Sequence, residues 1–361
     1  MKIINLKYRI VSVPINFSVI SSVRKSNKIY FVLLDVYTDD NINGLSYIQG
    51  FNFHGSSAII SCLKMLKESV IGEDPCNTNK VWYKMWDDIR LFGHQGLATF
   101  ALSMIDIALW DIKAKALEVP VYQLLGGKQR DNLVAYASDA LWLVSPIEAA
   151  KQASQLIDQG FTAIKMRLGR SSQNEDIEAV KEVRNAVGEQ VEIIADVNQG
   201  WNREQVINVA TKISQYHISW LEEPVATDNM EDYNYLIKVL GIPIAMGENL
   251  YGVKPFHRFF EKCPKPIYTP DLQRIGGLTG WTKLFPLFEC NNMPFSLHLF
   301  PEFSSQIFAS INYSKKLEWM SWASPLFEKQ IRCEHGIVKV NDAPGFGLSW
   351  DENFIAKHEV Y

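Results

Sequence analysis

From residue 132 onward the chain repeats one unit. Short apolar runs follow one another: LVAYAS, AIKMR, VEIIAD, SWLEE, PIAMG, PIYTP and FSLH. Between them lie longer amphipathic stretches, among them PIEAAKQASQLIDQG, NEDIEAVKEVRNAVG and REQVINVATKISQYH. A short apolar run bounded by turn residues reads as a strand buried on both faces. Apolar residues at three- and four-residue spacing read as a helix that covers it. Such strands in a row, each trailed by a helix, predict a parallel sheet closed into an α/β barrel.

The first third reads differently. KIYFVLLDVYTDD alternates and is rich in β-branched and aromatic residues, and GLSYIQGF follows the turn-like DNING, so residues 1 to about 55 are expected as strands. SSAIISCLKMLKESVIG and LATFALSMIDIALWDIKAKAL have helical spacing. Strands followed by helices suggest an α+β unit, with LLGGKQRD (124–131) as its boundary.

Composition narrows the function classes. A net charge of −4 carries no nucleic-acid footprint. No apolar run reaches membrane-spanning length, and the start, MKIINLKYRIVSVPINF, is broken by Lys2, Lys7 and Arg9 and lacks a signal-peptide core. The five cysteines show no CxxC spacing, as expected of reduced thiols in a cytoplasmic protein.

Each expected strand ends on a residue capable of chemistry. Lys165 and Arg167 end one, two apart, so a strand turns both cations to one face. Asp196, Glu222, Glu248, Asp271 and His298 end the next five, and Glu318 follows, at intervals of about 20–27 residues. Taken singly, an Asp or Glu here is an ordinary turn or capping residue. Together, three carboxylates at one barrel mouth repel unless a cation lies between them. Oxygen-only donors suit a hard ion such as Mg²⁺. Asp196, Glu222 and Glu248 are therefore the candidate ligands, and Asn198, on the same face as Asp196, supports the site.

These stretches resemble the enolase superfamily and, within it, the mandelate racemase subgroup of the mandelate racemase/muconate lactonizing enzyme family. The resemblance rests on KMR, IIADVNQGW, WLEEP, MGENLYG, TPDLQRIGGLTGW, SLHLFPE and LEW in that order, and on IDIALWDIKAKALEVPVYQLLGG before them. It implies an α+β capping domain over residues 1–125, completed by the tail from about 330 to 361. It implies a modified TIM barrel, (β/α)7β, over residues 126–329. Mg²⁺ on Asp196, Glu222 and Glu248 follows from it. So do a His298–Asp271 dyad, Glu318 beside a substrate carboxylate oxygen, and Lys165 on that carboxylate. A homo-oligomer, dimer or octamer, is implied as well. The subgroup usually carries Lys-x-Lys where this chain has KMR, its second Lys acting as a base on one face of the α-carbon.

Arg167 replaces that base, and a guanidinium is a poor proton acceptor. It is suited to holding negative charge instead. His298 remains as the base near neutral pH. Racemisation with two bases needs one on each face, whereas β-elimination of water needs one base that later serves as acid. The expectation is an acid sugar dehydratase. A racemase or epimerase of a 2-hydroxy acid, using Lys165 and His298 as its bases, is the alternative, and a catalytically degenerate binding protein the second. Residues 16–28, NFSVISSVRKSNK, resemble the family's mobile lid, and YIQGFNFHGS (47–56) its second loop. Arg24, Lys25, Tyr47 and His54 are the candidate substrate contacts there. With Gln49 and Asn52 they suit a polyhydroxy acid, including a diacid with Arg24 or Lys25 at its distal carboxylate. Phe17, Tyr47 and Phe51 could instead build an apolar wall.

Overall fold

Three antiparallel strands open the chain: β1 (Ile3–Ile20), β2 (Lys25–Thr38) and β3 (Gly44–Gln49), hydrogen-bonded in that order. The computed structural model describes every residue except Val23, Arg24 and Pro264, and describes residues 16–18 by their backbone only. Alternation in β2 splits the core in two. Phe31 and Leu33 face the barrel, and Val32, Leu34 and Val36 face three helices. These are α1 (Phe53–Val70), α2 (Thr78–Asp88) and α3 (Leu97–Ala116). α3 is apolar around most of its circumference because it lies between the cap sheet and the barrel helices.

The short helix α4 (Val121–Leu124) leads into the barrel. Its parallel strands are β4 (Asn132–Ala137), β5 (Ala163–Arg167), β6 (Glu192–Asp196), β7 (Ile218–Glu222), β8 (Ile244–Met246) and β9 (Ile267–Tyr268). Residues 295–298 take the next place, joined to the ring by the bridges Tyr268–Phe295 and Asp271–His298. β10 (Leu317–Trp319) then pairs in parallel with β4 and closes the circle. The covering helices are α5 (Pro146–Asp158), α6 (Gln173–Val187), α7 (Arg203–Ile213), α8 (Met230–Val239), α9 (Lys254–Lys262), α10 (Leu272–Ile275), α11 (Gly277–Cys290) and α12 (Pro301–Ala309). Capping residues set their starts. Ser145 Oγ accepts from Glu148 N ahead of α5, and Asn202 and Gln205 form a reciprocal capping box on α7. No helix of the described residues is long and apolar enough to cross a membrane.

The tail joins both parts of the molecule. β11 (Cys333–Glu334) and β12 (Ile337–Lys339) form a hairpin on the outer side of β4, with Ile337 opposite Val134. After α13 (Glu352–His358) the chain returns to the cap, where Val11 bridges Glu359 and Ile10 N donates to Tyr361 O.

Candidate active site

Strand alternation layers the barrel interior. Tyr136, Ala163, Ile194, Trp220, Ala245 and Ile267 form an apolar floor. Two residues further along, Ser138, Lys165, Asp196 and Glu222 rise above it, and all four are buried. An apolar floor keeps water from reaching these charges from below, so they must satisfy one another or a ligand.

The side-chain oxygens of Asp196, Glu222 and Glu248 lie within 4.8 Å of one another. Among the described residues Glu248 Oε2 has no hydrogen-bond partner, and Glu222 Oε1 meets only the Lys165 ammonium. Three converging carboxylates, with Glu248 Oε2 unpartnered, fit a hard divalent cation that keeps open positions. Lys165 Nζ stands beside them, 3.0 Å from Asp196 Oδ2, 3.0 Å from Glu222 Oε1 and 3.4 Å from Glu318 Oε1. Burial alone would lower the Lys165 pKa, but the three carboxylates hold it well above its ordinary value. Burial pushes the Glu222 carboxyl up, and Asp196 and Glu248 add to the push against Lys165. Glu318 goes the other way. Burial would raise it, but Lys165 and His298 outweigh that, helped by hydrogen bonds from Leu299 N and Ser138 Oγ at 2.9 and 2.7 Å.

His298 stands on the opposite wall. Its Nδ1 is 2.6 Å from Asp271 Oδ2, and its Nε2 lies 3.5 Å from Glu248 Oε2. Burial would lower the imidazole pKa, but Glu248 and Asp271 raise it to about 9. Asp271 is fixed in turn by Gln273 N on Oδ1 at 2.7 Å and Arg274 Nη1 on Oδ2 at 2.8 Å.

Arg167 lies on the same strand face as Lys165. Its fork donates to Ser138 O and Ser138 Oγ, each at 2.8 Å, rather than to a carboxylate. Its guanidinium also stacks 4.0 Å from the centre of the Trp142 ring. A guanidinium has only donors, so Ser138 Oγ must accept from it. The single Ser138 hydroxyl proton is thereby directed to Glu318 Oε1.

Lys165, Arg167, Asp196, Glu248, Arg274 and His298 line a cavity of 230 Å³ together with Asn198, whose amide donates to Asp196 Oδ2 at 3.1 Å. The cap candidates fare differently. Gln49 and Phe51 line the cavity. Tyr47 is placed outside it, buried against Phe31, Phe300, Phe303 and Phe327, with its hydroxyl on Glu302. Its alternation faces it into the seam between cap and barrel. Lys25 and His54 are exposed and do not line the cavity, and Asn52 caps α1. Arg24 and the Phe17 side chain lie outside the described residues.

Sequence reasoning passed over Ser138, Trp142, Glu223, Arg274 and Trp322. Ser138 ends LVAYAS, so the strand-end rule reaches it. Glu223 follows a ligand in WLEEP, and its carboxylate accepts from Thr227 Oγ1 at 2.9 Å and Asn249 Nδ2 at 2.7 Å. Trp142 sits on a loop and Trp322 in a single 3-10 stretch, Ser321–Leu326, and neither is marked by a periodicity.

Residues 148–354 match the family described as enolase C-terminal domain-like. Residues 3–126 match the N-terminal domain of mandelate racemase/muconate lactonizing enzyme. The chain belongs to the mandelate racemase/muconate lactonizing enzyme family. Among its relatives in that family is the L-talarate/galactarate dehydratase of Salmonella typhimurium, 28% identical over 329 residues, covering 90% of this chain and 81% of that protein. The N-succinyl-L-Arg/Lys racemase of Bacillus cereus is 26% identical over 331 residues, covering 90% and 85%. An enolase from alpha proteobacterium bal199, crystallised with bound Mg, superposes with a TM-score of 0.94 at 30% identity, covering 99% of each chain. As expected from the sequence, a mandelate racemase/muconate lactonizing enzyme fold carries this site: a cap with a three-stranded sheet on a parallel-stranded barrel.

Proposed function

We propose that this chain is a Mg²⁺-dependent lyase that dehydrates a sugar acid. The observation that carries the reading is the asymmetry of the site. A histidine–aspartate pair stands on one wall, and on the other a guanidinium locked onto Ser138 and Trp142.

Asp196, Glu222 and Glu248 would hold the metal, with Mg²⁺ also carried by the bal199 and Polaromonas relatives in their solved structures. When bound, such an ion acts as a Lewis acid on the substrate carboxylate and makes its α-proton more acidic. Lys165 orients the same carboxylate, its charge shared with Glu318. With a cation held on Glu248, the charge that raises His298 most would be offset, and His298 Nε2 would then remove the α-proton, with Asp271 on Nδ1 fixing the tautomer. The electron pair left on the α-carbon forms the double bond to the β-carbon as the β-hydroxyl leaves. The imidazolium of His298 returns its proton to that hydroxyl, which departs as water. The enol product then tautomerises to a 2-keto-3-deoxy acid.

Racemisation, the activity in the name of the Bacillus cereus relative, would require a second proton carrier where Arg167 stands. The free, unpaired cysteines support a cytoplasmic location. Leu91 and Phe92, 97% and 72% exposed on the cap, support a homo-oligomer.

The test is an assay of the Mg²⁺-loaded protein against sugar acids for 2-keto-3-deoxy products. Activity that disappears in His298→Asn with Tm unchanged is expected. Deuterium uptake at the α-carbon without loss of water would favour the racemase reading instead.

A further inference from the structure

One short helix at the barrel mouth is held from the cap. α10 has Asp271 as its N-cap, and Asp271 Oδ1 accepts from Gln273 N. The cap reaches this helix directly. Gln49 N donates to Gln273 Oε1 at 2.9 Å, and Trp82 Nε1 donates to Gly276 O at 2.8 Å, just beyond the helix end. A further contact is aromatic. The rings of Phe51 and Phe100, 6.3 Å apart, form a ledge 5.8 and 5.5 Å from the Arg274 guanidinium. Phe51 adopts φ +62°, a left-handed backbone that a bulky aromatic residue rarely takes. Such strain persists only where the surroundings impose it, and the ring it positions lies against Arg274.

Arg274 links that ledge to the histidine–aspartate pair. Its Nη1 donates to Asp271 Oδ2 at 2.8 Å, and the same oxygen meets His298 Nδ1 at 2.6 Å. One carboxylate oxygen therefore serves both the guanidinium and the imidazole. To accept an α-proton at Nε2 the imidazole must be neutral. Arg274 is then the cation that compensates the buried Asp271 carboxylate. Gly252 N donates to Arg274 O at 3.0 Å, so the backbone beneath the guanidinium is fixed as well.

We propose that Arg274 is a positioning residue for proton abstraction: seated on the cap by Phe51 and Phe100, it holds Asp271 Oδ2 and through it aims His298 at the substrate. The cap thus acts on the base itself as well as on the cavity wall. This rests on the reading of His298 as the base, which dehydration and racemisation share.

The experiment uses the Mg²⁺-loaded protein and three variants. Arg274→Met removes the charge and its donors, Arg274→Lys keeps a cation, and Phe100→Leu removes part of the ledge from outside the cavity lining. Keto-deoxy product and α-proton exchange in deuterated water are followed together. In Arg274→Met, kcat and the exchange rate are expected to fall about tenfold to a hundredfold, as for loss of a hydrogen bond between charged groups, with KM and Mg²⁺ affinity unchanged. The isotope effect of an α-deuterated substrate is expected to rise as proton removal comes to limit turnover. Arg274→Lys should recover most of the loss, and Phe100→Leu should lower kcat about threefold. A raised KM at unchanged kcat would place Arg274 on the substrate and overturn the inference. So would a lowered Tm with kcat and isotope effect unchanged, the result a merely structural residue gives. Exchange by the wild type without product sinks the dehydratase and leaves this inference to be judged on exchange rates. A readout free of turnover completes the test. In protein carrying nitrogen-labelled histidine, the His298 Nδ1 proton is identified by its loss in His298→Asn. It is expected to be sharp in wild type and Arg274→Lys and exchange-broadened in Arg274→Met. A resonance unaltered by Arg274→Met, or missing from the wild type, overturns the inference.

Discussion

A guanidinium keeps its proton across the whole range of pH in which proteins work. Arg167 therefore contributes shape and charge, never proton transfer, and its neighbours are arranged accordingly. In Arg167→Lys a single ammonium must replace two forked contacts to Ser138 and the stacking on Trp142. The loss of about 1–3 kcal/mol expected for such contacts corresponds to a fall in kcat/KM of roughly tenfold to a hundredfold. Steady-state kinetics checks this, and a variant as active as wild type would show that the fork is dispensable. Ser138→Ala strips one partner from both Arg167 and Glu318. Urea unfolding should show a stability loss of about 1–3 kcal/mol. For the metal, Glu222→Gln removes one of three converging charges. Calorimetry should then find Mg²⁺ affinity lowered by about an order of magnitude or more, as for loss of a charged ligand. Unchanged affinity would strike Glu222 from the ligand set.

The helix α11 begins under an acid from another element. Asp106, in the middle of α3, accepts from Thr279 N at 2.8 Å, while its Oδ1 has no hydrogen-bond partner among the described residues. Gly277, at φ +72°, leaves the room, since a Cβ there would come within 2.5 Å of Asp106 Oδ2. Burial pushes the Asp106 carboxyl up to about 7, with the hydrogen bonds from Thr279 opposing it. Its folded pKa thus exceeds its unfolded one, so the folded state holds the proton longer. The stability this provides is present below about pH 4 and is lost as pH rises toward 7. Asp106→Asn keeps an acceptor and removes the titration. Its Tm relative to wild type should improve between pH 5 and pH 8, and a difference that does not vary with pH would refute the assignment. Elements of this sort also mark where sequence reading stops. The barrel strands and their helices were legible because burial on two faces and on one stripe leaves different periods. The ligand-bearing strand ends were legible because the repeat places one per unit. Asp106 was not, since a charged residue inside an apolar helix reads as an ordinary interruption until its partner on α11 is in view. Tyr47 was misjudged because β3 is buried on both faces, so alternation could not say which face met the cavity. Trp142 and Trp322 lie far apart in the chain and stack only once the fold brings a loop and a 3-10 stretch together.

At the scale of the molecule, cap and barrel are joined by aromatic packing. Phe303 on α12 contacts the Tyr47 ring at 4.9 Å and the Phe346 ring at 4.7 Å, and is fully buried. Phe303→Ala should cost about 3–5 kcal/mol in chemical denaturation. A smaller loss would mean that the seam collapses to fill the gap. The tail strengthens the same junction, since its hairpin lies on β4 and its end on β1.

The ring itself closes between strands far apart in the chain, Leu317–Trp319 of β10 against residues 135–137 of β4. Glu318 meets Lys165 and Ser138 only across that seam. Contacts so distant in sequence form late, after shorter loops have closed. The centre therefore cannot ripen piecemeal along the chain as it collapses. During renaturation the regain of catalysis should trail the regain of helical signal and coincide with the final cooperative step, which makes enzymatic turnover a clock for barrel closure.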